Sequence, residues 1–162
     1  MIPCNAVKSS YNSVVKKCKM KIKKIKRFNV RVYEAVLSLL PQLSSDTDLP
    51  SKEYFNSILK SENIHFFTGE LDDKKIVAVL TIGTYNTPSG TKVWIEDVVV
   101  DESQRGKGFG EELMLFAVQY SKSLGADSVS LTSRPSRIAA NRLYRKLGFV
   151  QYETNVYKYP LT

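Results

Sequence analysis

A glycine-rich turn between a predicted strand and a predicted helix is the segment of this sequence best suited to bind an anion. An apolar, β-branched run ends at Val100, and a helical pattern begins near residue 108. Such a turn leaves backbone amides unpaired at the positive end of the helix dipole, where a phosphate group binds well. Glycine permits both the unusual backbone angles and the close approach that the ligand needs. The residues of the turn are Arg105, Gly106, Lys107, Gly108, Phe109 and Gly110.

Two well-known phosphate loops do not fit this turn. The P-loop requires Gly-Lys followed by Ser or Thr, but Lys107 is followed by Gly108. The dinucleotide-binding fingerprint requires a glycine one place beyond Gly110, where Glu111 stands. The pattern that remains is an arginine, two residues, a glycine, one residue and a second glycine.

A second motif follows in the last part of the chain. On a predicted helix, Asn141 is followed three residues later by Tyr144, and a Gly-Phe pair closes the helix. The two side chains share one helix face, because positions three apart are neighbours on a helix. Together the two motifs resemble those of the GNAT superfamily, the acetyl-coenzyme A-dependent N-acetyltransferases. The resemblance covers residues 20–162 and is specific over residues 96–149.

The resemblance implies how this chain would hold acetyl-coenzyme A, its expected co-substrate. The strand before the turn would bind the pantetheine arm through its backbone, because in this superfamily that strand splays from a parallel neighbour. The amides from Arg105 to Gly110 would hold the pyrophosphate. Asn141 would help to hold the pantetheine arm, and Tyr144 would contact the same cofactor. The strand residues concerned are Val98, Val99 and Val100.

The resemblance also implies an acid and a base for the reaction. Tyr144 would protonate the departing thiolate, and Glu96, in the strand beside the thioester, is the candidate base for the amine. Strand alternation predicts that Glu96 and Asp97 lie on opposite faces, so catalytic use of Glu96 and simple pairing with a cation both remain open. Packing at the end of a helix is the alternative role for Tyr144.

The elements that must position these motifs are predicted from the apolar pattern. Helices come early, then antiparallel hairpins, then a β-α-β-α-β order, which indicates one α/β domain with a mixed (α+β) sheet. The GNAT-like fold implied by the resemblance has six to seven strands, splayed between two parallel ones, and about four helices. Strands are predicted at residues 20–26, 64–71, 75–84, 92–100, 128–131 and 149–159 (the last as one or two strands), and helices at residues 29–40, 51–60, 108–124 and 137–147.

Three details of these elements can be compared directly with a structure. Asn29 is a predicted cap of the first helix, and Ser136 of the last. In the final segment, Tyr152, Tyr157 and Tyr159 either fill the core or line the acceptor site, and the core is favoured.

The positive charge of the chain belongs to one end. The 162 residues carry a net charge of +8, but ten Lys or Arg residues and no acid precede Glu34, and the remainder has a net charge of −2. This division predicts a basic N-terminal extension, residues 1–19, poorly ordered, and a single domain over residues 20–162. Nucleic acid is therefore an unlikely partner for the body of the protein.

Metal, redox and membrane chemistry find little support in the sequence. Cys4, Cys18 and His65 form no ligand spacing, so no metal is expected, and reduced thiols suit a cytoplasmic protein. No apolar run is long enough to span a membrane. A monomer or a homodimer is expected.

The function that follows is an N-acetyltransferase that moves an acetyl group directly from acetyl-coenzyme A to a primary amine in a ternary complex. Neither cysteine lies near the motifs, which argues against an acyl-enzyme. Residues 95–100 resemble a strand of glucosamine-6-phosphate N-acetyltransferases, but protein lysine, polyamine, amino acid and aminoglycoside acceptors are equally open. The alternative is a non-catalytic module that binds acyl-coenzyme A, or nucleic acid through the basic N-terminus.

Overall fold

A five-stranded sheet with helices on both faces forms the described part of the chain. The structure is a computed structural model that describes residues 20–44 and 48–161. In chain order the elements are β1 (Lys21–Ile25), α1 (Val30–Leu39), a first 3-10 turn (Leu40–Gln42), α2 (Lys52–Lys60), β2 (Ile64–Glu70), β3 (Ile76–Thr87), β4 (Gly90–Val100), a second 3-10 turn (Glu102–Gln104), α3 (Phe109–Ser123), β5 (Ser128–Ser130) and α4 (Ile138–Lys146).

The strands lie in the order β1-β2-β3-β4-β5, and only the last pair is parallel. β1 to β4 are antiparallel neighbours, whereas the chain passes from β4 to β5 through the crossover helix α3, as a parallel pair requires. This mixed sheet with four helices confirms the predicted fold class. The described residues contain five strands rather than six to seven.

The segment after α4 explains the difference in strand number. Residues 149–161 form no strand, and Tyr152, Tyr157 and Tyr159 are all more than 80% exposed. The prediction of one or two final strands is therefore wrong, and so is the expectation that these tyrosines fill the core. β5 has only three residues, so its outer edge offers few backbone groups to a further strand.

Two apolar cores lie on opposite faces of the sheet because strand side chains alternate between the faces. On one face, Leu113 and Met114 of α3 pack against the centre of β3 and β4, and we call this the α3 core. On the other face, Val36 of α1 and Phe55 of α2 pack with Phe66 of β2. The α3 core fixes the start of α3 beside the end of β4, where the glycine-rich turn joins them.

One extra residue in β4 interrupts the alternation of its side chains. The β4 partners of Val79 and Thr81, which are two places apart in β3, are three places apart in β4, so the ladder contains a β-bulge. Asp97 lies in the bulge with a φ of 47°, in the left-handed region. Ile95 and Val98 both pack on the α3 core, and the residues between them are excluded from it.

The predicted cap of α1 is confirmed, and the predicted cap of α4 is wrong. Asn29 and Ser51 cap α1 and α2 with their side chains. Ser136 does not cap α4; Arg137 is the cap residue, and its side chain bonds no amide of the helix. Its guanidinium donates instead to the carbonyl oxygen of Leu43, at 2.9 Å, and so ties the start of α4 to the end of the first 3-10 turn.

Part of the basic charge is neutralised inside the fold. Glu70 is only 4% exposed. Its carboxylate accepts a hydrogen bond from Lys23 at 2.8 Å and forms an ion pair with Arg31 at 3.4 Å. The bond from Lys23 is the main reason why the pKa of Glu70 is lowered. These contacts join the edge strand β1 and the start of α1 to β2.

The predicted extension, residues 1–19 with both cysteines, lies outside the described residues, and its separation from the domain stays a prediction. Over the described ranges, no helix is both long and apolar enough to cross a membrane.

Gly69 in β2 offers a test of how the N-terminal edge packs. Met20 is 3% exposed, and a Cβ added at Gly69 would overlap its sulfur atom and lie 3.0 Å from the Cβ of Ala78. Because overpacking a core is destabilising, Gly69→Ala should lower the free energy of unfolding by about 1–3 kcal/mol, as measured by denaturant unfolding.

Gly83 in β3 provides the matched control, since the nearest atom to an added Cβ there is Ile64 Cδ1 at 3.7 Å. Gly83→Ala should change the free energy of unfolding by less than about 0.5 kcal/mol. Equal losses in the two variants would contradict this description of the packing.

Candidate functional site

The parallel strands β4 and β5 separate before the candidate pantetheine-binding residues of β4, Val98 to Val100. The parallel ladder joins β4 to β5 only from Lys92 to Trp94. β4 continues to Val100, whereas the chain leaves β5 at Ser130 for the loop before α4. Val98, Val99 and Val100 therefore border an opening beside β4, although the binding of a pantetheine arm there stays a prediction.

The glycine-rich turn has the backbone geometry of an anion-binding loop. Gly106 and Gly108 have φ values of 78° and 88°, which L side chains rarely adopt, and Gly108 is the cap residue of α3 without any side-chain bond. No amide from Gly106 to Gly110 donates a hydrogen bond to another group within residues 20–44 or 48–161. Several free donors thus lie at the positive end of a 15-residue helix, a geometry that fits a pyrophosphate.

The charged side chains of the turn bond to the protein rather than point into open space. Arg105 donates through Nε to the carbonyl of Val100 at 3.0 Å and through Nη2 to that of Gln42 at 3.4 Å. Lys107 donates to the side chain of Gln104 at 2.7 Å. Phe109 is 2% exposed in the α3 core, so only its backbone can contribute to a ligand. Anion binding here would depend on amides, with both cations nearby.

A small cavity brings the candidate base and acid together. It has a volume of about 100 Å³ and lies where β4 and β5 separate. Glu96 and Asp97 reach it from the bulge, Tyr144 from α4, and Leu43 from the end of the first 3-10 turn. The remaining lining residues are Ile95, Val98, Leu131, Thr132 and Arg137. Residues that are distant in the sequence thus share one site.

The bulge places both carboxylates on the same side of the sheet. Asp97 hydrogen-bonds to the side chain of Thr81, whose cross-strand partner is Glu96. The expectation that Glu96 and Asp97 lie on opposite faces is therefore wrong, because simple alternation does not hold through a bulge.

The pKa values of both carboxyl groups are raised in this environment. Both side chains remain accessible at the mouth of the cavity, yet the surrounding protein removes part of their water. This desolvation raises the pKa of Glu96, and the negative charge of Asp97 raises it further. Desolvation also raises the pKa of Asp97, while the bond to Thr81 opposes that shift. A carboxylate with a raised pKa accepts a proton more readily.

Tyr144 keeps its proton at neutral pH. Burial raises the pKa of its hydroxyl, and the positive charge of Arg137 only partly opposes this effect. The ring packs against Phe149, with 5.9 Å between the ring centroids. A protonated phenol at the cavity wall can donate a proton or a hydrogen bond.

Asn141 does not line the cavity. Its side-chain nitrogen donates to the carbonyl of Arg134 at 2.9 Å and so braces the loop between β5 and α4. Its predicted contact with the pantetheine arm stays a prediction.

Leu43 and Thr81 are site residues that the sequence motifs missed, since neither lies near a motif and only the tertiary fold brings them to Glu96.

Within residues 20–44 and 48–161, no group of three or more His, Cys, Asp or Glu side chains is arranged to hold a metal ion.

Comparisons with known proteins agree with this architecture. Residues 30–149 match the Acetyltransferase (GNAT) family. YycN of Bacillus subtilis (strain 168), an uncharacterized N-acetyltransferase, is 29% identical over 118 residues, which cover 70% of this chain and 74% of that protein. YvbK, another uncharacterized N-acetyltransferase of that strain, is 42% identical over 57 residues, and the match spans 35% of this chain and only 37% of YvbK.

Solved structures with the same fold include two acetyltransferases with named substrates. An aminoglycoside acetyltransferase from an uncultured soil metagenomic sample has a TM-score of 0.77 and 20% identity, and covers 88% of this chain and 96% of its own. Glucosamine-6-phosphate N-acetyltransferase from Arabidopsis thaliana has a TM-score of 0.69 and 24% identity, and the match covers 87% of this chain and 98% of that one. Identities this low show the fold alone, but the family match covers most of the chain. The protein is a member of the GNAT family of acetyltransferases.

Proposed function

We propose that this protein transfers an acetyl group from acetyl-coenzyme A directly to a primary amine, in a ternary complex. The observation that carries the proposal is the cavity in which Glu96, Asp97 and Tyr144 meet beside the separated strands β4 and β5. A base, an acid and an anion-binding turn at one sheet edge are the parts that such a transfer needs.

The chain offers two backbone surfaces to the co-substrate. The unpartnered amides from Gly106 to Gly110 would hold its pyrophosphate, and the edge of β4 from Val98 to Val100 would align its pantetheine arm. Acetyl-coenzyme A supplies the acetyl thioester. Arg105, bonded to Val100 and Gln42, would position the turn against the end of the strand.

Glu96 and Tyr144 would divide the proton transfers between them. Glu96 takes a proton from the amine, either directly or through water, so that the nitrogen lone pair can attack the thioester carbonyl. Tyr144 gives its proton to the sulfur atom as the C–S bond breaks, and its phenolate then takes the remaining extra proton from the nitrogen, which leaves a neutral amide and the free thiol. The raised pKa values of both groups suit these roles, because one must accept a proton and the other must still carry one.

The similar proteins suggest acceptors for a first screen. One solved relative in fold is named an aminoglycoside acetyltransferase, and glucosamine 6-phosphate N-acetyltransferase of Trypanosoma brucei brucei is 42% identical over 59 residues, 36% of this chain. The screen should measure release of free coenzyme A thiol with aminoglycosides, glucosamine 6-phosphate, polyamines, amino acids and lysine peptides. Amine-dependent thiol release supports the proposal. Acetyl-coenzyme A binding without release for every amine would favour a non-catalytic binding module instead.

Tyr144→Phe tests the proposed acid. Removing the hydroxyl should lower kcat by about 100-fold, since general acid catalysis contributes at least that much, and should change the Kd for acetyl-coenzyme A little. Steady-state kinetics and calorimetric titration measure the two quantities. The control is Tyr54→Phe, at an exposed position on α2. An unchanged kcat across the pH range would remove Tyr144 from the mechanism.

The pH profile tests the proposed base. Glu96 must be deprotonated to act, so kcat/KM should fall as the pH drops through its raised pKa. Asp97→Asn removes the charge that helps to raise this pKa, so the acid limb of the profile should move to lower pH.

The control for the pH profile is Glu62→Gln, an exposed carboxylate before β2 that does not line the cavity, which should leave the profile unchanged. Glu96→Gln should lower kcat/KM on the plateau. An acid limb that Asp97→Asn leaves in place, or full activity in Glu96→Gln, would assign the base to another group or to water.

A further inference from the structure

The hairpin of β3 and β4 presents two aromatic side chains next to the cavity. Tyr85 is 48% exposed, and Trp94 is partly exposed. Trp94 donates from its indole Nε1 to the Tyr85 hydroxyl at 3.1 Å, which holds the two rings together. We call this pair the aromatic shelf.

The register places the shelf on the same side of the sheet as the carboxylates. Glu96 follows Trp94 by two places in β4, before the bulge, so the two side chains point the same way. The residues between and before them, Ile95 and Val93, face the α3 core instead. Tyr85 lies opposite Lys92, two places before Trp94, and so belongs to the same side. Shelf and carboxylates thus form one continuous strip.

The shelf lies outside the two apolar cores of the described residues. Neither apolar core among the described residues includes Tyr85 or Trp94, either as a buried member or as a partly buried neighbour. The open side of the hairpin therefore carries a partly exposed tryptophan two residues from the first of two negative charges. An aromatic face attracts a cation, and tryptophan does so best among the aromatic side chains.

From this strip we infer that the acceptor carries a second cationic group, and that the aromatic shelf binds this group while Glu96 and Asp97 face the amine that is acetylated. The inference rests on the proposed function and names its substrate class, a diamine or longer polyamine. The negative carboxylates and the aromatic shelf both favour cations, and the carboxylates repel a phosphate.

The two positive charges near the strip, Lys92 and Arg137, each donate to a backbone carbonyl oxygen. Lys92 donates to the backbone carbonyl of Ser89 in the hairpin turn, at 3.3 Å. Arg137, on the α4 side of the cavity, is bound to the carbonyl of Leu43, and its charge acts on Tyr144 rather than on Glu96. Asp97 adds a negative charge at the Glu96 end. The strip therefore favours a cation along its length.

The spacing of the strip limits the length of the acceptor. Two residues of a β-strand rise about 7 Å, so the shelf and the reacting amine would be about that far apart. An extended chain of about four or five methylene groups between two amines spans this distance.

A series of α,ω-diamines tests the inference with the full chain and acetyl-coenzyme A. The chains should run from about two to seven methylene groups, with butylamine as the monoamine and glucosamine 6-phosphate as the phosphate-bearing amine. We expect kcat/KM to peak at about four or five methylene groups and to exceed that of butylamine by about tenfold.

Substitutions of Trp94 separate binding from catalysis. Trp94→Leu should raise KM for the best diamine by about tenfold, with kcat little changed and KM for butylamine unaffected. Trp94→Phe retains an aromatic face and should recover part of that loss. The matched control is Tyr54→Leu, which removes an exposed ring on α2 that lies outside the cavity.

The possible outcomes distinguish the two proposals. Coenzyme A release without a dependence on diamine length, or with glucosamine 6-phosphate as the best acceptor, would overturn the diamine inference and leave the acetyl transfer intact. Equal loss of kcat for diamine and monoamine in Trp94→Leu would also overturn it, since that result indicates a structural role. No release with any amine would overturn the proposed function itself.

Discussion

The bulge in β4 is the constraint on which the site depends. With regular alternation, Asp97 would point into the α3 core, and Val98 would point to the open side. The extra residue keeps the aliphatic side chains of Val98 and Val100 on the core and leaves both carboxylates outside it. The strained φ of Asp97 is the local cost, and it is retained where two negative charges face one cavity. Packing and chemistry at the end of β4 are therefore satisfied by one local irregularity.

The end of the first 3-10 turn holds the other walls of the site in place. The side chain of Gln42 accepts from the amide of Glu102 at 2.8 Å, and its carbonyl accepts from Arg105, next to the glycine-rich turn. The neighbouring carbonyl of Leu43 accepts from Arg137 at the start of α4. Two segments that are distant in the sequence, residues 102–105 and the start of α4, thus converge on two adjacent residues. This arrangement joins the glycine-rich turn and the helix of Tyr144 to the connection after α1, across the small cavity.

Charge in this protein is organised differently from what the net value suggests. Lys23 and Arg31, in the basic N-terminal part, form ion pairs with the buried carboxylate of Glu70. Arg105, Lys107 and Arg137 donate to carbonyl oxygens or to an amide side chain. Among the described residues, the amides at the start of α3 have no protein acceptor, and the two carboxylates on β4 form no ion pair. An anionic co-substrate and a cationic acceptor would thus meet from opposite sides, a division that no count of charged residues reveals.

The sequence by itself determined the fold class, the strand–turn–helix unit and the identities of Glu96, Gly106, Gly108 and Tyr144 as candidates, because apolar periodicity and glycine placement act locally. It also misplaced some features. Residues 149–159 have a strand-like pattern, but the only neighbouring edge among the described strands is β5, which has three residues. The cap residue of α4 is Arg137 rather than Ser136, and its side chain bonds to Leu43. Only the tertiary structure decided that both carboxylates share one side, that Trp94 and Tyr85 lie on that side, and that Leu43 lines the cavity. Those facts depend on cross-strand register and long-range contacts, which the pattern of a single segment does not encode.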